Sequence, residues 1–231
     1  MNSIQSFFIS GTDTDIGKTY ISRLLVDTLS QFHPSTYMKP VQTGCTEDRH
    51  GNLCAPDYDY VMKGKATPSL DITNHLPYRY KTPCSPHLAA VLENGPEIEI
   101  DVILEAYRRL ATYSMNVIVE GAGGVMAPIN SRQYMVDVMK AMNLPVILVS
   151  SPHLGTINHT LMSIDILKRN SIRLAGIVMN NARNVPVDYL YKDTISFIAK
   201  KTDPVPLLET GYNSVKEQEL HAFCRKLSTT I

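Results

Sequence analysis

Residues Phe7 to Tyr20, FFISGTDTDIGKTY, constrain the fold of this chain more than any other stretch. The apolar run Phe7-Phe8-Ile9-Ser10 reads as a buried strand. It breaks at Gly11 into a small polar loop that ends at Gly17-Lys18-Thr19. An apolar-periodic helix follows, with Ile21, Leu24, Leu25, Thr28 and Leu29 on its inner side. Strand, glycine-bounded loop, Gly-Lys-Thr and helix make the layout of a loop that cradles phosphate. Loop amides and the helix N-terminus point inward at a polyphosphate, and the helix dipole adds to the attraction. Lys18 is expected to reach the β- and γ-phosphates, and the Thr19 hydroxyl to sit on Mg²⁺.

Two departures from the common pattern narrow the class. Five residues, Thr12 to Ile16, separate the glycines where four are usual. ATPases that dimerise on nucleotide carry a lysine five positions before the loop lysine; here that position is Asp13.

A chain of 231 residues suits one α/β domain spanning 1–231. Its 22 basic and 22 acidic residues cancel, which leaves no electrostatic footprint for nucleic acid or an anionic membrane. No apolar run approaches the ~20 residues of a membrane span. The start, MNSIQSFFIS, lacks a basic region and leads straight into the first strand, so it does not read as a signal peptide. Cys45, Cys54, Cys84 and Cys224 form no C-x-x-C pair, which suits a reducing cytoplasm. A Cys45/Cys54 metal site is the minor alternative.

Further along, Thr36 to Met38 reads as a short strand that ends at Lys39-Pro-Val-Gln-Thr-Gly44. Pro40 interrupts a regular ladder, which leaves Lys39 at a strand's carboxyl end. In open α/β sheets that end faces the ligand crevice; the alternative is a surface lysine. Cys45 to Pro56 is a polar loop without periodicity, and Asp57 opens a short helix, either as an N-cap or as a residue that reaches a metal. Thr67 to Pro83 is an excursion with one strand, Leu76 to Tyr80. Ser85-Pro86 starts a helix that stops near Asn94, and its His87 reads as a surface or cap-packing residue sooner than as a catalyst. Asp101 to Tyr113 is amphipathic, with Val102, Ile103, Ala106 and Leu110 on one face.

Asn116 to Glu120 is a β-branched strand ending in a carboxylate, followed by Gly121-Ala122-Gly123-Gly124. A carboxylate at such a tip is costly unless paired or holding a metal, and in phosphate-loop proteins this is where Mg²⁺ is oriented. Capping by the glycine amides is the alternative. Helices are expected over Met135 to Met142, Ile157 to Lys168, Asp188 to Lys201 and Val215 to Leu227, and strands over Pro145 to Ser150, Leu174 to Met179 and Val205 to Leu208. Gly155-Thr156-Ile157-Asn158 offers free amides at a helix N-terminus, a second anion site. Asn180, at a strand tip, can read a purine edge as donor and acceptor. Strand–helix alternation predicts a doubly wound, mostly parallel sheet with helices on both faces.

With these pieces in place the sequence resembles the dethiobiotin synthetases, from Phe7 to about Asn180. The resemblance is carried by Gly11–Thr19, Lys39-Pro-Val-Gln-Thr-Gly44, Ser85-Pro-His-Leu-Ala-Ala90, Val119-Glu-Gly-Ala-Gly-Gly124, Leu154-Gly-Thr-Ile-Asn-His159 and Leu174-Ala-Gly-Ile-Val-Met-Asn180. It implies an enzyme that uses ATP, Mg²⁺ and CO₂ to close 7,8-diaminononanoate into a cyclic urea. A carbamate forms on one amine and takes the γ-phosphoryl group, and the second amine then expels phosphate. It further implies Lys39, Lys18 and Thr14 as catalytic residues, and Thr19, Asp57 and Glu120 as metal ligands. Nucleotide contacts would come from Asp15, Ile16, Gly17, Lys18, Thr19, Tyr20, Asp57, Glu120, Gly121, Ala122, Gly123 and Asn180. Thr43, Gly155, Thr156 and Asn158 would hold the diamine, the last three from the other subunit of a homodimer. After Leu208 the chain runs into Glu209-Thr210-Gly211-Tyr212 in place of the family's usual Gly-Glu-Ile-Pro.

Two rivals make different demands. A nucleotide-switched, partner-recruiting ATPase would want a lysine where Asp13 stands. An ATP-dependent amidating enzyme of corrinoid synthesis would need a glutamine-hydrolysing domain for which 231 residues leave no room.

Overall fold

The computed structural model describes residues 6–65 and 70–229. The reading of the first five residues as leaderless, and of residues 67–69 as part of the excursion, concerns positions outside the described residues.

The first strand, β1 (Phe7–Gly11), has no polar alternation and is buried on both faces. That pattern belongs to the interior of a parallel sheet. The chain continues through α1 (Lys18–Ser30), β2 (Ser35–Met38), β3 (Val41–Gln42), β4 (Thr46–Glu47), β5 (Leu53–Cys54), α2 (Pro56–Met62), α3 (Ile72–His75), β6 (Tyr78–Arg79), α4 (Pro86–Leu92) and α5 (Ile100–Tyr113). It then forms β7 (Asn116–Gly124), α6 (Met135–Met142), β8 (Val146–Ser150), α7 (Thr156–Arg169), β9 (Leu174–Asn180), α8 (Tyr189–Thr202), β10 (Leu207–Thr210) and α9 (Glu217–Thr229). Six strands make one parallel sheet in the order β10-β9-β8-β1-β7-β2. The doubly wound, mostly parallel sheet expected from the sequence is present.

Successive β1 side chains enter opposite layers, as the pleat requires. Phe7 and Ile9 pack with Ile21 and Leu25 of α1 and with Leu220 and Phe223 of α9. Phe8 packs on the other face with Ile103 and Leu110 of α5 and with Val138 and Met139 of α6. Gly176, inside β9, leaves room for α9: a Cβ there would meet the Phe223 ring at 2.6 Å. Because β1 lies between β7 and β8, the loop after it opens at the middle of the sheet's carboxyl edge.

Several boundaries differ from the sequence expectation. The glycines after Glu120 do not start a loop; β7 runs on to Gly124, and Gly11 of β1 pairs with it. The last strand lies two residues later than Val205–Leu208. Val205 gives its N–H to the Thr202 carbonyl in the turn after α8, so sheet pairing begins only past it. On α5 the buried stripe is Ile103, Ala106 and Leu110, spaced three and four apart. Val102, one step around the helix from Ile103, is exposed. The Cys45–Pro56 loop contains the short antiparallel pair β4–β5. The excursion's strand shrinks to β6, which pairs in parallel with β3.

Candidate active site

The phosphate loop rises from β1 and ends in α1. Gly17, at φ 88°, is the N-cap of that helix, and a Cβ there would strike the Asn180 amide nitrogen at 2.1 Å. Only glycine serves both demands. The Lys18 ammonium curls back to the Asp13 carbonyl at 2.7 Å. Burial, followed by repulsion from the Lys39 ammonium, lowers the Lys18 pKa from its ordinary value to about 8. Thr14 and Asp15 line the open side of the loop. Ile16 is wholly buried among the core residues below, so it offers the site backbone only. Tyr20 packs partly against the same core.

The centre of the site is Glu120, at 0% exposure. One carboxylate oxygen accepts from Lys39 Nζ at 2.6 Å and from Thr19 Oγ1 at 3.0 Å. The other accepts from Ser22 Oγ at 2.8 Å and from the Tyr37 hydroxyl at 2.8 Å. Four donors thus meet one buried carboxylate, which is what keeps such a charge tolerable. Lys39, 5% exposed, also reaches Asp57 Oδ2 at 2.7 Å. Burial opposes the Lys39 charge, but Glu120 and Asp57 outweigh it and its pKa is raised. Burial likewise opposes the Asp57 charge; Lys39, helped by the nearby Thr19 and Gln42 side chains, overcomes it and holds that carboxyl below its ordinary value. Burial and the facing Glu120 push the Tyr37 hydroxyl well up.

These groups share a cleft of about 940 Å³. Its wall includes Thr14, Asp15, Gly17, Lys18, Thr19, Lys39, Thr43, Asp57, Glu120, Ala122 and Gly123. The open alternatives therefore close. Lys39 is no surface lysine. Asp57 is not an N-cap, a position held by Ala55, but lies in the first turn of α2 with Pro56 ahead of it. The Glu120 partners named above are side chains, not glycine amides. His87 is outside the cleft wall, and its N–H goes to the Pro128 carbonyl at 3.4 Å. Among the described residues no group of three or more His, Cys, Asp or Glu could hold a metal, so the Cys45/Cys54 alternative gains nothing.

Other expected residues stand apart. Gly121 is off the wall, its Cα facing Phe8 and Met135. Asn180 is buried, gives its amide N–H to the Ile16 carbonyl at 2.8 Å and accepts from Thr210 Oγ1 at 2.7 Å. It ties the phosphate loop to β9 and β10. Gly155, Thr156 and Asn158 are not part of the wall. Gly155 (φ 92°) is the N-cap of α7. Thr156 already gives its N–H to the His153 carbonyl at 3.1 Å, and its hydroxyl bonds Ser150 at 2.8 Å. The expectation of a free amide is thus corrected at Thr156.

Sequence reading passed over Ser22, Tyr37 and Gln42. Spacing could have found two of them. Ser22 is one helical turn after Thr19, and Tyr37 is two strand residues before Lys39 on the same face.

Gly-Lys-Thr at the head of α1, a buried acid on the neighbouring strand and a parallel sheet between helices define a P-loop nucleotide-binding α/β protein. A family described as an AAA domain matches residues 5–210. In solved structures, a putative plasmid partition protein of Borrelia burgdorferi bound to AMPPNP superposes with a TM-score of 0.55 at 10% identity, covering 99% of this chain and 100% of that one. The MinC:MinD cell division complex of Aquifex aeolicus gives 0.53 at 9% identity, covering 97% and 86%. At such identities the likeness shows the fold alone. Sequence relatives are closer. The ATP-dependent dethiobiotin synthetase BioD of Fusobacterium nucleatum is 36% identical over 222 residues, 95% of this chain and 98% of that protein. Its counterpart in Methanocaldococcus jannaschii is 38% identical over 200 residues, 84% and 87% respectively. The chain belongs to the dethiobiotin synthetase family.

Proposed function

We propose that this chain is an ATP-dependent dethiobiotin synthetase acting on 7,8-diaminononanoate, CO₂ and ATP. The observation that carries the reading is the meeting of Lys39, Glu120, Asp57 and Thr19 beside Lys18 in one cleft.

One amine of the diamine adds to CO₂ and loses a proton, giving a carbamate. A carbamate oxygen takes the γ-phosphoryl group, and ADP leaves. The second amine attacks the carbonyl carbon; the new C–N bond forms as the C–O bond to phosphate breaks, and the amine's proton is released. Catalysis of such steps is mainly positioning and charge neutralisation. Lys18 and Lys39 bring two ammoniums to the cleft where carbamate and γ-phosphate charge builds. Thr14 hydrogen-bonds the carbamate or diamine, and Thr43 places the diamine. The remaining nucleotide contacts come from the loop between Asp15 and Tyr20 and from the Glu120–Gly123 segment.

Thr19 Oγ1 and the carboxylates of Asp57 and Glu120 form a hard-oxygen donor set that fits Mg²⁺. The sharing of the Lys39 ammonium by both carboxylates supports the reading of a cation site there. When bound, the ion neutralises charge on the β- and γ-phosphates.

The chain acts as a homodimer. The first turn of α7 lies outside its own protomer's cleft, and Leu154 just before it is 98% exposed. The amides of Gly155, Ile157 and Asn158 would receive the diamine's distant carboxylate in the partner's site. Asn180, held between the phosphate loop and Thr210, presents what remains of its amide to adenine.

The test is product identity. Purified protein given diaminononanoate, ¹³C-bicarbonate and Mg·ATP yields dethiobiotin one mass unit heavier, with the label in the ring carbonyl. A labelled acyl phosphate or open-chain carbamate without ring closure would contradict the assignment.

A further inference from the structure

β2 is the edge strand of the sheet, bonded to β7 on one side only. Its outer polar groups need partners, and an open edge is also a liability. One residue supplies two of them. The His75 carbonyl accepts the Lys39 N–H at 2.8 Å. The His75 ring Nδ1 lies 2.8 Å from the Tyr37 carbonyl, so it is the donor and the neutral ring carries its proton there. In a parallel ladder one residue's N–H and carbonyl serve positions two apart on the neighbouring strand. His75 does the same at Tyr37 and Lys39, with its ring nitrogen standing in for the backbone N–H of a seventh strand.

The brace continues past this point. Tyr78 N–H meets the Pro40 carbonyl at 3.3 Å, Tyr80 N–H meets the Gln42 carbonyl at 2.8 Å, and Cys45 N–H meets the Tyr80 carbonyl at 2.9 Å. Residues 75–80 therefore run along residues 37–45 as a broken outer strand. The side chains so carried are Tyr37 and Lys39, both on Glu120, and Gln42 and Thr43 in the cleft wall. His75 is 1% exposed, and its ring stands edge-on to Tyr58 with centroids 5.2 Å apart. Nε2 has no hydrogen-bond partner among the described residues. A second ring proton would have nowhere to go, and burial accordingly lowers the His75 pKa.

We propose that His75 is a positioning residue for the ring-closing reaction: its ring and carbonyl fix the backbone of Tyr37 and Lys39, and so hold the Lys39 ammonium on the Glu120–Asp57 pair. The role reaches the substrate only through Lys39, and it rests on the function proposed above. An error of about 1 Å in a catalytic group can cost on the order of a hundredfold in rate.

The protein with His75→Leu loses the ring donor while keeping an apolar occupant. Expected is a fall in kcat of tenfold or more, with the KM for ATP within twofold, since the phosphate loop is untouched. His75→Asn, whose side-chain amide can donate to the same carbonyl, recovers at least half the loss; His75→Gln, whose donor lies one bond further out, recovers less. A second readout does not need turnover. Lysine-directed labelling read by mass spectrometry shows Lys39 protected in the wild type and several-fold faster in His75→Leu, with Lys18 labelling unchanged. If His75→Leu does not fold, the Asn and Gln variants carry the same comparison in both readouts. A variant with a lower melting temperature but full kcat and a protected Lys39 would overturn the proposal. Equal behaviour of the Asn and Gln variants would overturn it as well. A wild-type protein that makes no dethiobiotin would overturn the proposed function and leave the labelling test of His75 standing.

Discussion

The Glu120 end of the site and the first turn of α7 are built on opposite principles. At the first, the Glu120 carboxylate has four side-chain donors, and Lys39 bridges two acids. At the second, Leu154 stands in solvent, Gly155 and Asn158 are exposed, and Thr156 is turned inward onto Ser150. The difference separates two jobs. A region that handles developing charge must be fixed beforehand, because dipoles and ammoniums that reorient during reaction give back their advantage. On the proposed function, the α7 turn only receives a distant carboxylate, so it can be left open for that group, and for a second copy of the chain, to complete.

Perturbing the wired end should have the larger effect. Lys39→Ala removes an ammonium between two carboxylates at the proposed reacting centre. We expect kcat to fall at least about a hundredfold, as for loss of a preorganised charge-stabilising donor, while ATP affinity measured by calorimetry changes little. Retained turnover would place the chemistry elsewhere and dissolve the contrast.

At the open end, Ile157→Pro deletes one first-turn amide at a position where a helix tolerates proline. An amide given to a carboxylate is worth roughly 1.5–3 kcal/mol, so the diamine KM should rise about tenfold or more with kcat preserved. An unchanged KM would mean that the α7 turn receives no carboxylate.

Between the two lies Lys18, whose pKa is pushed down to about 8 by burial first and Lys39 second. In the free protein it loses its charge as pH rises through about 8, whereas polyphosphate favours the charged form. ATP affinity should therefore weaken above about pH 8, by up to about tenfold per unit, with proton uptake on binding. Calorimetry in buffers of different ionisation heat measures that uptake. The stability effect has the opposite sign to the usual lysine case. Charged Lys18 opposes folding below about pH 8, and that opposition is relieved as pH climbs towards the ordinary lysine value of 10.5.

The smallest change is Tyr37→Phe, which removes one of four donors to Glu120. It should cost about 1.5 kcal/mol, or roughly 3–6 °C in Tm, and leave three donors in place. A larger loss would mean that the network is more cooperative than its separate bonds suggest.

How much of this was legible from the sequence follows from what local pattern can encode. β1, β8 and β9 are buried on both faces, so their apolar runs announced them. Gly17-Lys18-Thr19 was readable because it falls where a loop meets a helix, and Glu120 because an acid closes a β-branched run ahead of a glycine-rich stretch; their meeting follows from β1 lying beside β7. Asp57 stayed ambiguous because its partner Lys39 comes from another element. Thr156 was misjudged because its amide is taken by a carbonyl three residues back, a turn detail that carries no residue signature. β10 was misplaced because an apolar pattern cannot tell that Val205 is spent on closing α8. The roles of His75 and Asn180 as backbone ties were invisible for the same reason: both serve carbonyls, and any residue can present a carbonyl.

The most direct test of the account is phosphate release under saturating bicarbonate and Mg·ATP, with and without the diamine. If the wired end acts on a carbamate, release without diamine is negligible, and with diamine it matches ureido product one for one. Phosphate released at the same rate whether or not the diamine is present would contradict the account.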